Sequence, residues 1–521
     1  LNLLLLGRLA GALPMSLDRT PSVSAGWTLL AVCTAALILP LSFSGGALAT
    51  PAIGLDLGAG PLALTWITNA FMLSFGSLLM AAGTLADRYG RKRMFVSGVG
   101  VFVLASLALG LAPNIVWLDG LRALQGVGAA AALAGGSAAL ANTFEGRSQT
   151  KAFSLLGTSF GVGLALGPIL AGVLIEHIGW RAVFVSGALI GGLALLMAIP
   201  MMHESKDPHA SKLDGKGTVS FTAALVLFTW GILLVPSTGW NSAPVIGMLL
   251  GALVCVLAFV RIERRVARPM LDLSLFRYPR FVGVQLLPVA TCFCFVVLLV
   301  LLPVRLIGIE GRSATDTGLL MIALSAPMLI VPYLAGVLTH WASARVLSAA
   351  GLLIAAAGLL LLSRVGINQP TFEMIVPLLV IGIGTGLPWG LMDGLSVSVV
   401  PKERAGMATG IFGTTRVAGE GISLAIVSAL LAVLIQRHLP SQSAGAAQYL
   451  ATGDLSQAAG VAQGLEQAVL GAAYLQAFQV LLYGLAALTV AVALLILWFL
   501  RQNPVAAAAG CDGVRSTPAS E

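Results

Sequence analysis

Charge is scarce in this chain of 521 residues. Only 10% of it is Asp, Glu, Lys or Arg, against about 25% in a soluble domain. That shortage excludes an ordinary water-soluble globule. Cysteine is rarer, with 5 residues: Cys33, Cys255, Cys292 and Cys294 lie in apolar runs and Cys511 near the C-terminus. No disulfide framework follows from such a set. Cys292 and Cys294 have no His or acid beside them, so they read as packing residues and not as a metal pair. The 5 histidines, His177, His203, His209, His340 and His438, sit at the ends of apolar runs or between them, and no HExxH occurs. Neither a metal nor a cofactor is expected from these residues.

What the chain has in abundance is apolar length. Hydrophobic residues make up 58% of it, and the mean hydropathy is +0.96. Fourteen apolar runs fall near 27–49, 62–85, 94–112, 115–141, 153–175, 181–201, 217–236, 243–261, 281–303, 317–338, 344–363, 374–399, 406–435 and 473–500. Most are near the roughly 20 residues that carry a helix across about 30 Å of hydrocarbon. A bilayer core offers the backbone no partners, so only helices or closed barrels span it. Runs this long, without alternation, predict an all-α membrane protein.

The net charge of +8 does not point to nucleic acid, because the bases sit in short connections between apolar runs. With an inward N-terminus, the inner connections hold Arg88, Arg91, Lys92, Arg93, Lys206, Lys216, Arg261, Arg264, Arg265, Arg345, Lys402 and Arg404, among others. The outer ones hold Arg181, Arg305, Arg312, Arg364 and Arg437. This asymmetry predicts a multi-pass membrane protein with both termini cytoplasmic. The expected organisation is an N-terminal segment 1–26, a six-helix bundle 27–201, central loops with two added helices over 202–280, a second six-helix bundle 281–500 and a tail 501–521. Residues 436–470 read as a weakly amphipathic loop outside the membrane. The run before Met15 reads as non-native, with Met15 as the true start.

GTLADRYGRKR, 83–93, concentrates charge between the second and third runs. Gly83, Leu85, Asp87, Arg88, Gly90, Arg91, Lys92 and Arg93 match the pattern Gly-x-Leu-x-Asp-Arg-x-Gly-Arg-Lys-Arg. It resembles the signature loop of the major facilitator superfamily, at the same place in the order of helices. GVLTHWASAR (336–345) weakly repeats that loop, and GTTRVAGEG (413–421) repeats GTSFGVGLA (157–165). Two six-helix pseudo-repeats with the seventh and eighth runs inserted follow from the pairing. RPMLDLSLFRYPRF (268–281) and LDGKG (213–217) resemble segments of the 14-helix drug/proton antiporters. That resemblance implies alternating access in a bacterial inner membrane, with export of small lipophilic compounds in exchange for protons, by a monomer. The alternatives are an importer on the same fold and, remotely, an intramembrane enzyme, for which no nucleophile or metal constellation is visible.

The resemblance also assigns parts. Asp87 is expected to latch the halves by meeting the start of the thirteenth run near Arg404–Met407, and the opposing reading is a solvated turn acid. Arg122, with Gly126 after it, matches the fourth-helix Arg-x-x-x-Gly pattern; it is expected near the pathway, with a paired structural arginine as the alternative. Gly163, Gly167, Pro168 and Gly172 match the exporter-type fifth-helix pattern, a kinked and close-packed pivot or seal. Asp393, Arg416 and Glu420 are charges inside runs, and such groups are functional candidates by default. Arg416 and Glu420, one turn apart, are expected to pair. Ser42 and Ala47 stand where the family has its first-helix acid and asparagine. Hence Glu420 or Asp393 carries the coupling proton, or transport is not proton-driven. Trp66, Phe71 and Trp389 are expected to line a cavity or to serve as packing and anchors.

Overall fold

The computed structural model describes residues 23–207, 213–266, 271–367, 369–400, 405–440, 443–462 and 465–501. Met15, Arg404, Arg268 and Cys511 lie outside them. Among the described residues 14 helices are long and apolar enough to cross a membrane. In chain order they are α1 (Ser24–Leu57), α2 (Pro61–Tyr89), α3 (Arg91–Leu109), α4 (Ile115–Thr143), α5 (Lys151–His177), α6 (Arg181–Met201), α7 (Gly215–Thr238), α8 (Ala243–Glu263), α9 (Pro279–Ile309), α10 (Ala314–Leu338), α11 (Ala344–Leu362), α12 (Thr371–Ser396), α13 (Met407–His438) and α14 (Gln467–Phe499). Every apolar run of the sequence is one of them. No strand occurs among the described residues.

Helices α1 to α6 pack among themselves, and α9 to α14 do the same. α7 and α8 form a hairpin at the rim: α7 lies on α2 and α13, while α8 packs chiefly on α7. The two bundles meet along two seams, α5 with α10 and α2 with α13. Because the sequence repeat pairs α10 with α2 and α13 with α5, each seam is the pseudo-twin of the other. Glycine sets both. A Cβ on Gly76 would lie 2.7 Å from Ala418 N, and one on Gly172 would lie 2.4 Å from Ala314 O. Small residues at such crossings let backbones approach.

α9 is not a regular helix. It turns π-helical over Cys292–Val296 and Val304–Ile309. Such insertions leave part of the ladder open and recur at functional sites. The segment 436–470, expected to be a weakly amphipathic loop outside the membrane, contains two short helices, Ala446–Ala451 and Leu455–Val461, with Ala446, Ala447, Leu450 and Ala458 buried. Gly453, at φ +82°, sits so tightly on the second π segment that a Cβ on Gly308 would lie 2.3 Å from its carbonyl oxygen. Glycine at both positions is what allows this close docking.

Candidate functional site

The loop after α2 turns at Gly90, whose φ of +123° suits glycine. Asp87 accepts hydrogen bonds from Arg91 Nε and Nη2 at 3.1 and 3.0 Å. Of the expected cross-bundle partner region Arg404–Met407, Arg404 lies outside the described residues; the contacts found for the Asp87 carboxylate among the described residues are those from Arg91 in its own loop. Glu204, which sequence reading overlooked, caps α3: its carboxylate accepts from Lys92 N and Arg93 N, both at 3.1 Å. Asp207 N donates to Asp87 O at 2.9 Å, and Arg91 N to Ser205 O at 2.9 Å. The chain leaving α6 thereby clamps the charged loop to the first bundle. Gly83 meets no atom within 4 Å of an added Cβ, and neither does its repeat partner Gly336.

Arg122 is fully buried inside the first bundle. Its Nε donates to Ile67 O at 2.8 Å, and its Nη1 to Ser42 Oγ at 3.0 Å and to Gln125 Oε1. Gln125 Nε2 continues the chain to Ser106 Oγ at 2.7 Å. The guanidinium lies 4.5 Å from the Phe71 ring centroid and 5.7 Å from that of Phe184. Asp119, one turn earlier, does not reach it: Asp119 Oδ1 is buried without a hydrogen bond. Phe71 therefore packs under the cation and is not a cavity wall. Trp66 makes an edge contact with Trp230 of α7, with centroids 5.6 Å apart. It faces the added hairpin and not a cavity.

In the second bundle the expected Arg416–Glu420 pair does not form. Arg416 Nη1 reaches across to Asp393 Oδ1 at 3.6 Å, and the Asp393 side chain is 65% exposed. The guanidinium also lies 6.0 Å from the Trp389 ring and 5.8 Å from that of Phe412. A turn of spacing lets two residues pair, but rotamer and surroundings decide which acid wins; here it is the acid on α12. Glu420 is half-buried, and no cation within 4 Å or side-chain hydrogen bond is found for its carboxylate among the described residues. The neighbouring Gly419 faces Cys292 of the first π segment, at 3.9 Å from an added Cβ.

The small residues of α5 divide between two partners. Added Cβ atoms on Gly163 and Gly167 would meet Leu37 O at 2.4 Å and Ser44 Oγ at 2.3 Å, both on α1. Gly172 faces α10, and Pro168 O comes within 2.5 Å of a Cβ built on Gly318. The stripe is a three-helix joint between α1, α5 and α10.

This arrangement of bundles, seams and charged loop agrees with comparison to known proteins. The model of the Major Facilitator Superfamily matches residues 30–424. The chain belongs to the major facilitator superfamily. Similar members include the Multidrug resistance protein Stp of Mycobacterium tuberculosis (strain CDC 1551 / Oshkosh), 33% identical over 393 residues, 75% of this chain and 73% of that protein. The Cephamycin export protein CmcT of Amycolatopsis lactamdurans is 33% identical over 420 residues, 78% of this chain and 86% of the relative. Among solved structures, a bacterial homologue of the human lysosomal transporter Spinster, inward-facing and unoccupied, matches with a TM-score of 0.63 at 14% identity, over 92% of this chain and 98% of that one. That likeness concerns the fold alone.

This superfamily member also carries a charged cluster that sequence reading missed. Arg305 and Glu310, assigned from the sequence to a connection, are fully buried. Arg305 Nε donates to Glu310 Oε1 at 2.8 Å, and Arg312 Nε to Glu310 Oε2 at 3.1 Å. Arg305 Nη2 also donates to Val365 O and Gly366 O at 3.0 and 2.6 Å. The π turn extends α9 past the point where Arg305 seemed to end it. The cluster ties the end of α9 to the connection between α11 and α12.

Proposed function

We propose that the protein is a secondary active exporter of small lipophilic, drug-like compounds, working by alternating access and exchanging substrate for protons. Its 33% identity to a protein named for multidrug resistance and another named for cephamycin export, over three quarters of the chain in each case, carries this reading. The α5 stripe, which resembles the exporter-type pattern, adds support, with Pro168 and Gly172 placed against α10 at the seam between bundles.

In this reading the charged end, with Asp87 to Arg93, faces the cytoplasm of a bacterial cell, and both termini lie there. The loop clamped by Glu204 gates that end. Glu420 is the proton carrier: it is an acid on α13 whose carboxylate has no ion pair within 4 Å and no side-chain hydrogen bond among the described residues, so its charge can change with the transport state. Arg416 and Asp393 shape the cytoplasmic approach, and Trp389 offers a flat apolar wall beside them. Arg122 sets the field inside the first bundle.

Expression in a pump-deficient bacterium tests the proposal. Resistance to at least one lipophilic compound of a panel should rise, cellular accumulation should fall, and a protonophore should abolish both. Raised accumulation that depends on the protein would point to import instead.

A further inference from the structure

Glu176 lies at the last turn of α5, one turn beyond Gly172, and reaches across the bundle boundary. Its Oε2 accepts a hydrogen bond from Thr315 N at 3.1 Å. Thr315 is in the first turn of α10, just after the N-cap residue Ser313. The first N–H groups of a helix have no partner within it, and its N-terminus favours an anion. A carboxylate from the first bundle thus caps a helix of the second.

The place of this contact gives it meaning. Along the seam below it, α5 and α10 touch backbone to backbone, Gly172 on Ala314 and Pro168 on Gly318. Toward the charged end the same helices offer open space at two glycines: Gly157 of α5 and Gly336 of α10 have nothing within 4 Å of an added Cβ. The seam is shut at the end that Glu176 occupies. Leu48 of α1, 1% exposed, lies in the same closed region, in a cluster with Ala171, Val183 and Ile307.

We propose that Glu176 is a positioning residue for transport, a latch that holds the end opposite the charged loop closed by capping α10 from α5. The proposal rests on the alternating opening proposed above. When that end opens, α5 and α10 must separate, and the Thr315 N–H must exchange the carboxylate for water. A neutral side chain weakens the closed state, and a cation at a helix N-terminus opposes it.

The test uses Leu48→Cys in a full-length protein whose 5 native cysteines are replaced by alanine, expressed in cells and treated with a membrane-impermeant maleimide. Labelling of position 48 reports opening. Glu176→Gln should speed labelling about two- to fivefold, the range expected for a charge at a helix end, and Glu176→Lys should speed it more. Asn114→Ala serves as control. It removes an N-cap within the first bundle, where Asn114 Oδ1 accepts from Trp117 N, and should leave labelling unchanged. Labelling at the parental rate in both Glu176 variants would overturn the latch alone. Equal acceleration by Asn114→Ala would also overturn it, since general loosening would then suffice. Absence of labelling in every variant, with a proton gradient present, would overturn the latch together with the alternating opening beneath it.

Discussion

Ser42 Oγ lies 3.0 Å from Arg122 Nη1 and takes its hydrogen bond, while donating in turn to Gln125 Oε1 at 3.3 Å. A neutral hydroxyl thus occupies the position at which the superfamily resemblance leads one to expect an acid. The buried cation is balanced by polar acceptors and aromatic faces, with no carboxylate within 4 Å among the described residues. Cation–π contact contributes about 2 kcal/mol or more when desolvated. Among the described residues no acid hydrogen-bonds Arg122 in the first bundle, and the proposed exchange therefore assigns coupling to the second.

Arg122→Ala would strip the donor from Ile67 O, Ser42 Oγ and Gln125 Oε1 together. A buried group left unpaired costs about 1–3 kcal/mol. The melting temperature of the detergent-purified variant should fall by several degrees, with loss of transport. Arg122→Lys should restore part of the stability, since an ammonium supplies charge without the planar fork. A melting temperature unchanged in Arg122→Ala would contradict the network.

Gly83 and Gly90 look alike in the signature loop but differ physically. Gly90→Ala meets both a positive φ and the Glu204 carboxylate, 2.5 Å from the added Cβ. It should lower stability by roughly 1–2 kcal/mol, the cost of a left-handed L-residue, or more with the clash. Gly83→Ala has open space and should melt within about a degree of the parent. Thermal melting of the two variants side by side checks this.

The Arg416–Asp393 contact is long and its acid is largely in water, so it should contribute little. Exposed pairs couple by about 0.2–1 kcal/mol. A double-mutant cycle of Arg416→Gln and Asp393→Asn on thermal stability should return a coupling below about 1 kcal/mol. A larger value would mean that the pair is sequestered from solvent.

The helices were legible because hydrocarbon leaves the backbone almost no choice. Their ends were less so. α1 runs on through Pro51 to Leu57, well past the apolar run ending near 49, and Asp56 in its last turn is held by Arg181 Nη1 at 2.6 Å and by Trp180 Nε1 at 3.0 Å. Arg305 misled, since a buried ion pair with Glu310 is invisible one-dimensionally. The α5 glycines were picked out by their resemblance to the family's fifth-helix pattern, since small residues four apart are common in so glycine-rich a chain. Partners on different helices could not be picked out this way: nothing in the sequence says that Arg416 turns to α12, that Glu204 caps α3, or that Ser42 meets Arg122. For Trp66 and Phe71 the sequence left cavity lining and packing both open, and their neighbours, Trp230 and Arg122, favour packing.

Coupling through Glu420 is the point on which the account turns. Purified protein in proteoliposomes, given a lipophilic substrate from the efflux screen, measures it directly under an imposed pH gradient. The parent should accumulate substrate against its gradient. Glu420→Gln should still equilibrate substrate across the membrane but should lose accumulation, while Asp393→Asn keeps it. Full accumulation by Glu420→Gln would contradict the assignment of this carboxylate as the proton carrier.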